Sequence, residues 1–153
     1  MKVLMATDGS KDAKNAAQLA AALLFGSADP KIRIVSVAEN ASPIVTEQIV
    51  VSNDLFLRAA AESKKAAKNA VEELKAVIEK AFEGREVPEI ETAVIEDSAR
   101  EGIVRDAEEW GADVIVVGSH GYGFWDRMLI GSVSDAVVHH APCSVLVVRQ
   151  PRD

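Results

Sequence analysis

The sequence has a single cysteine and a deficit of basic side chains. One cysteine, Cys143, excludes an internal disulfide bond and is typical of a reducing compartment. Lysine and arginine total 17 against 24 aspartates and glutamates, which gives a formal net charge of −7. This acidity disfavours docking on nucleic acid or on an anionic membrane. No apolar run is long enough to cross a bilayer, and no signal-peptide pattern precedes the first predicted strand. We therefore expect a cytoplasmic protein that binds neither nucleic acid nor membranes.

Several motifs of catalysis and phosphate binding are also missing. No Gly-Lys-Ser/Thr occurs, which excludes a P-loop, and Gly121-Tyr122-Gly123 lacks the third glycine of a dinucleotide fingerprint because Asp126 takes its place. The segment 118–121 is not a Gly-x-Ser-x-Gly nucleophile elbow. No carboxylate with adjacent Mg²⁺ ligands is evident for activating a water at a γ-phosphate. The sequence therefore assigns no catalytic residue.

The chain instead has a regular alternation of predicted strands and helices. It has 153 residues and is 48% hydrophobic, which suits one domain over residues 1–153. The predicted strands are 2–7, 31–38, 89–95, 114–117 and 144–149. The predicted helices are 11–25, 54–83, 98–110 and a last one that begins at 126 or 131 and ends at 140. Residues 39–53 have no clear periodicity and are either a loop or a short helical piece around 45–51.

The alternation predicts an α/β fold with a five-stranded parallel sheet, doubly wound and Rossmann-like. Ligands of such sheets bind outside the carboxyl ends of the strands, where the strand order reverses. That rule brings Asp8, Val37 or Ala38, and residues 118–121 to one crevice. The last strand, from Ser144 to Arg149, is predicted to lie at an edge of the sheet.

Helix caps and inner faces follow from the local pattern. Ser10 is expected to cap the first helix, and Ser98 with Glu101 matches a capping box. The first helix is expected to bury Ala16, Ala20, Leu23 and Leu24. The inner stripe of the long helix is expected to be Leu55, Ala59, Ala66, Ala70, Leu74, Val77 and Phe82.

Glycines cluster immediately after the predicted fourth strand. Gly118, Gly121 and Gly123 follow the apolar run 114–117, and Gly131-Ser132 opens a segment with helical character. Glycines at such a place let backbone N–H groups approach a phosphate next to a helix N-terminus. Glycine after a strand is also common in any α/β turn, so both interpretations are open on the glycines alone.

Longer stretches of the sequence resemble a known family. They are Ala6-Thr7-Asp8-Gly9-Ser10, Val116-Val117-Gly118-Ser119-His120-Gly121, Gly131-Ser132-Val133-Ser134 and His140-Ala141-Pro142-Cys143-Ser144-Val145-Leu146-Val147-Val148. With these, the chain resembles the universal stress protein family over nearly its whole length. The ATP-binding branch of that family carries Gly-x2-Gly-x9-Gly-Ser/Thr, which Gly118, Gly121, Gly131 and Ser132 match without a gap.

The resemblance implies a fold of the adenine nucleotide alpha hydrolase type and a bound ATP, with or without Mg²⁺. It implies that Gly118, Gly121, Gly131 and Ser132 hold the triphosphate, that Asp8 binds the ribose hydroxyls and that the backbone of Val37 meets adenine. The implied ATP-binding residues are Thr7, Asp8, Val37, Gly118, Ser119, His120, Gly121, Gly131, Ser132, Val133 and Ser134. It also implies a homodimer in which the last strands of two subunits pair, as an unpaired apolar edge would favour.

Several residues have a structural interpretation beside the functional one. Asp8 could simply form a turn, and Ser132 could cap a helix as well as donate to phosphate. His120 and Arg127 are near enough in sequence to reach phosphate, or they are surface side chains. His139 and His140 are helix neighbours whose side chains diverge, which makes them poor metal ligands.

The sequence departs from the family pattern in two features. Glu96 stands where many relatives have glycine, so a turn that needs a positive φ would strain it. Phe124-Trp125 make the glycine loop bulky, and they could cover a nucleotide, contact a partner or pack on the domain.

Three functions stay open on the sequence. The first is a dimeric, ATP-dependent regulatory module of a stress response. The alternative is a slow ATPase or autokinase of the same fold. The third is a protein-interaction platform whose nucleotide site is formed but empty.

Overall fold

A computed structural model describes residues 1–39, 53–119 and 131–149 of the chain. In chain order the elements are β1 (Lys2–Ala6), α1 (Lys11–Leu24), β2 (Lys31–Val37), α2 (Asn53–Ala81), β3 (Glu89–Ile95), α3 (Ala99–Trp110), β4 (Val114–Gly118), α4 (Ser132–His140) and β5 (Ser144–Val148). The predicted alternation is confirmed, with boundaries within a few residues. The helical piece predicted around 45–51 lies outside the described residues.

The five strands form one parallel sheet in the order β3-β2-β1-β4-β5. The chain moves outward from β1 to β3, then returns to the other side of β1 for β4 and β5. The order therefore reverses between β1 and β4, as expected for a doubly wound fold. β5 lies at an edge, which confirms that prediction.

Apolar side chains of successive strand residues enter two separate cores. Val3 and Met5 of β1 pack with residues of α1 and α2 on one face of the sheet. Leu4 points to the other face and packs with Ile103 of α3 and Val137 of α4. This alternation follows from the two-residue period of a strand, and it covers both faces with helices.

The inner stripe predicted for the long helix is partly wrong. Leu55 is 61% exposed, and Ala59 and Ala66 are exposed too. The buried stripe of α2 consists of Ala67, Ala70, Val71, Leu74 and Ile78, with Phe82 just beyond the helix end. The main reason is rotation, because Ala59 and Ala66 lie roughly 80–100° around the helix from Ala67, on the flank of the buried stripe. Length matters at the start of the helix, because 29 residues span roughly 44 Å. Strands of five to seven residues span only about 17–23 Å, so the first turns of α2 have no sheet beneath them.

The face predicted for α1 is wrong at one position. Leu23 is 64% exposed, whereas Ala17 and Ala21 are buried beside Ala20 and Leu24. Alanines on the inner face allow α1 to approach the sheet closely, and the larger Leu23 is left on the outside.

Both predicted N-caps are present, but the second is not a complete capping box. The Ser10 hydroxyl accepts from Ala13 N–H at 3.2 Å. The Ser98 hydroxyl accepts from Glu101 N–H at 3.3 Å. The N–H of Ser98 donates to Asp97 Oδ1 at 2.7 Å, the role that a capping box assigns to Glu101.

The turn before α3 carries no backbone strain. Among the described non-glycine residues, positive φ occurs at Asp29 alone, so Glu96 replaces glycine without a left-handed conformation. The Glu96 carboxylate forms an ion pair with Lys64 of α2. Within the ranges that the structure describes, no helix is long and apolar enough to span a membrane.

Candidate functional site

A cavity of about 470 Å³ opens at the carboxyl ends of the strands. It lies where β1, β2 and β4 end, at the point where the strand order reverses. The lining residues are Ala6, Thr7, Asp8, Ala13, Val35, Ser36, Val37, Glu39, Ser63, Ala99, Ile103, Val117, Gly118, Gly131, Ser132, Val133 and Ser134.

The strand order gives the cavity a direction. Because β1 lies between β2 and β4, Val37 and Glu39 form one end, Asp8 lies in the middle, and Gly118 with the start of α4 forms the other end. A ligand in this cavity therefore meets three different chemical environments in sequence.

The middle of the cavity is formed by the turn after β1. Gly9 N–H donates to Thr7 Oγ1 at 3.0 Å, and Ser10 N–H donates to Asp8 Oδ1 at 2.9 Å. Gly9 has a φ of 82°, which favours glycine. The buried Thr7 hydroxyl thus holds the turn, whereas Asp8 is exposed and keeps its carboxylate at the cavity wall. The turn interpretation of Asp8 and its ligand interpretation are compatible.

At the β2 end the backbone of Val37 faces the crevice. Thr7 N–H donates to Val35 O at 2.9 Å, the last backbone bond between these neighbouring strands in the described part of the chain. Ala38 N–H donates to Ile95 O of β3 at 2.8 Å. Since backbone groups of successive strand residues point to opposite sides, the N–H and C=O of Val37 point toward β1, beyond its end.

The start of α4 is fixed to the end of β4 by hydrogen bonds that converge on Ser119. Gly131 N–H donates to Ser119 O at 2.7 Å. The buried Ser134 hydroxyl donates to Gly131 O at 2.9 Å and lies 3.3 Å from Ser119 O. Ser119 itself is 1% exposed and does not line the cavity. These two predicted site residues therefore position α4, and the N–H of Gly131 is already paired.

The first turn of α4 forms part of the cavity wall. Its N-cap, Gly131, makes no side-chain capping bond. Ser132 and Val133 follow at the cavity wall, in the first turn, where backbone N–H groups have no partner within the helix. Such a terminus carries a partial positive charge and suits an anion.

Gly118 has a packing role that the sequence did not indicate. A Cβ built on Gly118 would lie 2.9 Å from Ala13 N and 2.9 Å from Asp12 C in the first turn of α1. Glycine is therefore needed at the end of β4 because a helix backbone passes against it, whether or not a phosphate also approaches.

Nine residues of the cavity wall are absent from the predicted site: Ala6, Ala13, Val35, Ser36, Glu39, Ser63, Ala99, Ile103 and Val117. The signal for Glu39 was available, since it lies two residues beyond Val37. Ser63 could not be found in this way, because only the packing of α2 brings it here. The described charged groups of the wall are Asp8 and Glu39, and both are acidic.

The remaining predicted residues lie elsewhere or outside the described ranges. His120 and Gly121 of the predicted site are not among the described residues, nor are Phe124, Trp125 and Arg127. His139 lies on the exposed side of α4, with Nδ1 2.8 Å from Asp135 O. Burial, with the nearby Asp113 carboxylate, raises the pKa of the Cys143 thiol. In the described part, no group of three or more histidines, cysteines and acidic residues could hold a metal.

Comparison with known proteins identifies the family. The sequence model of the universal stress protein family matches residues 1–149, and the chain belongs to this family. A putative universal stress protein of Staphylococcus aureus is 31% identical over 148 residues, covering 96% of this chain and 82% of the relative. A putative universal stress protein of Staphylococcus haemolyticus is 54% identical over 43 residues, which is 28% of this chain and only 26% of that protein.

Solved structures of the same family share the fold. Universal stress protein UspA from Lactobacillus plantarum has a TM-score of 0.79 at 21% identity, with 97% of each chain covered. A universal stress protein in complex with cAMP has a TM-score of 0.67 at 26% identity, covering 97% of this chain and 96% of that one. A family member from Arabidopsis thaliana with AMP bound has a TM-score of 0.66 at 19% identity, covering 100% of this chain and 94% of that one.

Proposed function

We propose that this protein is an adenine-nucleotide-binding regulatory module that takes ATP as its ligand. The observation that carries the proposal is the cavity, in which β2, β1 and β4 end in turn beside the N-terminus of α4. The two relatives that hold cAMP and AMP support the nucleotide class.

The order of groups along the cavity wall matches the order of base, ribose and phosphates in a nucleotide. The backbone of Val37 supplies a donor and an acceptor for the edge of adenine. The carboxylate of Asp8 accepts from ribose hydroxyls. The first turn of α4, at Ser132 and Val133, meets the phosphates, and Ser119 with Ser134 keeps that turn in place.

The charge of the cavity bears on the phosphate chain. Asp8 in the middle of the cavity is acidic, and so is Glu39 at the end opposite α4, so the N-terminus of α4 is the described part of the wall that attracts a triphosphate. A Mg²⁺ ion bound to the phosphates lowers the negative charge that they bring to this wall. We therefore propose that ATP enters with Mg²⁺.

The nucleotide content of the freshly purified protein tests the proposal. The protein is denatured and its supernatant is separated by anion exchange, in parallel with Gly131→Val and Gly26→Val. Gly131 has an extended backbone (φ −70°, ψ 156°) that valine adopts, so the variant adds bulk at the phosphate end without backbone strain. Gly26 has nothing within 4 Å of a built Cβ, which makes it the matched control.

ATP released by the native protein and by Gly26→Val, and absent from Gly131→Val, is the expected result. ADP alone would indicate turnover and favour the slow ATPase. No nucleotide in any sample, with no binding of added ATP, would refute the proposal and leave the interaction platform.

We further propose that two copies associate through β5. β5 is an edge strand of Ser-Val-Leu-Val-Val. Next to it, α1 exposes Leu19 and Leu23, 46% and 64% accessible. Leu23 is nine residues from Lys14, about 180° around the helix, and Lys14 bonds Glu73 of α2. The exposed leucines therefore lie on the side of α1 that faces away from α2, which is the side nearer to β5.

Light scattering after size exclusion tests the association. The native protein is expected to be a dimer, and Leu23→Glu a monomer with unchanged circular dichroism. Leu57→Glu is the control, because Leu57 is 58% exposed on the far end of α2. A monomeric native protein, or a Leu23→Glu variant that is still dimeric, would contradict the proposed interface.

A further inference from the structure

Glu39 lies at the end of the cavity where β2 stops. Its carboxylate Oε1 accepts from Ala99 N–H at the start of α3 at 3.3 Å. Its backbone carbonyl lies 3.4 Å from the Ser63 hydroxyl of α2. Two helices therefore hold this residue from two sides, although its side chain is exposed.

The position of Glu39 along the cavity defines what it can meet. It follows Val37 by two residues and lies across β1 from the phosphate end at α4. A nucleotide that places its phosphates at α4 therefore places its base at Glu39. The other wall residues near this end are Ser36, Val37, Ser63, Ala99 and Ile103, so Glu39 is the charged side chain among the described residues there. The Ser63 hydroxyl is directed at the backbone carbonyl of Glu39.

A carboxylate can only accept hydrogen bonds, so it discriminates between bases by their donors. Adenine carries a 6-amino donor, whereas hypoxanthine carries a 6-oxo acceptor in the same position. Of the described residues, Ala99 supplies the one hydrogen bond to this carboxylate, so accepting capacity remains for a ligand.

We propose that Glu39 determines the base specificity of the site by accepting a hydrogen bond from the 6-amino group of adenine. This inference rests on the nucleotide function proposed above. Adenine would then contact the side chain of Glu39 as well as the backbone of Val37. Glu39 would have a role in binding besides its hydrogen bond to the start of α3.

Binding of AMP and IMP to three proteins tests the inference. Isothermal titration is carried out on the native protein, Glu39→Gln and Glu96→Gln. Glutamine keeps the size and an oxygen for Ala99 N–H, but it adds an amide donor that suits a 6-oxo group. Glu96 is an exposed glutamate paired with Lys64 that does not line the cavity, and it serves as the matched control.

The native protein and Glu96→Gln are expected to prefer AMP over IMP by about tenfold or more, as hydrogen bonds to charged groups allow. Glu39→Gln is expected to lower that preference at least tenfold. A preference in Glu39→Gln within threefold of the native value would overturn the inference.

A second measurement uses only the unmodified protein. Purine riboside monophosphate lacks the 6-amino group and is expected to bind about tenfold more weakly than AMP. Equal affinities would overturn the role of Glu39 while the nucleotide function stands. Absence of binding by AMP and ATP alike would refute the nucleotide function itself, and the inference with it.

Discussion

The backbone nitrogen of Ala13 would lie only 2.9 Å from a Cβ placed on Gly118. The contact joins the end of β4 to the first turn of α1, which are far apart in sequence. The atoms that a side chain would meet belong largely to the backbone, so they cannot move aside as a flexible side chain would. The glycine that opens the family motif therefore has a steric role in the fold itself.

Gly118→Ala is expected to destabilise the protein by about 1–3 kcal/mol, since overpacking forces the helix backbone to shift. For a chain of this size that corresponds to a fall in melting temperature of roughly 2–4 °C per kcal/mol. Thermal unfolding followed by circular dichroism measures the change. Gly26→Ala meets no neighbouring atom and is expected to stay within about 0.5 kcal/mol of the native protein. Equal melting temperatures for all three proteins would refute the steric role.

A second prediction concerns the ion pair between Arg33 of β2 and Asp106 of α3. Arg33 Nε lies 2.8 Å from Asp106 Oδ2, with side chains 22% and 14% exposed. Asp106→Ala removes two charge-assisted hydrogen bonds and leaves Arg33 with Glu91. We expect a loss of about 2 kcal/mol in urea unfolding.

Glu79→Ala is the comparison for that variant. Glu79 forms an exposed pair with Lys75 one helical turn earlier, at 3.9 Å. Such pairs contribute about 0.3–0.5 kcal/mol. If Asp106→Ala lost no more unfolding free energy than Glu79→Ala, the Arg33–Asp106 pair would stabilise the fold no more than an exposed pair does.

A third prediction is a pH dependence at Asp97. The Ser98 N–H, and after it the Arg105 guanidinium, hold the pKa of the Asp97 carboxyl below its usual range. A folded-state pKa below the unfolded one gives stability that is complete above the unfolded value and is lost as the pH falls through the folded one. The free energy of unfolding of the native protein should therefore exceed that of Asp97→Asn by the full amount at pH 7. The difference should shrink progressively below about pH 4. Urea unfolding at pH 7, 5 and 3 measures this, and a difference that does not change with pH would contradict it.

A fourth prediction concerns the cation. A triphosphate brings more negative charge than a monophosphate to a wall whose described charged residues are acidic, so adding Mg²⁺ should tighten ATP binding by about fivefold, or roughly 1 kcal/mol. AMP affinity should change little. Titrations with Mg²⁺ and with EDTA make the comparison. An equal effect of Mg²⁺ on both nucleotides would argue against charge repulsion as its cause.

The order of elements could be predicted from the sequence because strands and helices differ in the spacing of their hydrophobic residues. The reversal point and the edge position of β5 followed from general rules for parallel sheets. The inner stripe of α2 could not be predicted, because alanine fits both a buried and an exposed face. The face that the helix turns to the sheet decides that Ala67 is covered and that its neighbour Ala66 is not.

The site was predicted less completely than the fold. Thr7, Asp8 and Gly118 could be expected at the strand ends, and the cavity wall includes all three. The inward position of Ser119 depends on the hydrogen bonds from Gly131 and to Val148, which no local pattern encodes. Contact of any of these residues with a nucleotide stays a prediction until a complex is measured.

The two edges of the sheet differ in chemistry. At β3 the edge carries Glu89 and Glu91, paired with Lys31 and Arg33 of the neighbouring strand. At β5 the edge is almost entirely aliphatic. Charged edges resist the addition of further strands, whereas aliphatic ones admit it. If two copies met at β5 about a two-fold axis, both aliphatic β5 edges would be buried in the interface. The charged β3 edges would then be the outer edges of the joined sheet. Growth by strand addition would then stop at two copies, so the same sheet would be protected from forming fibres.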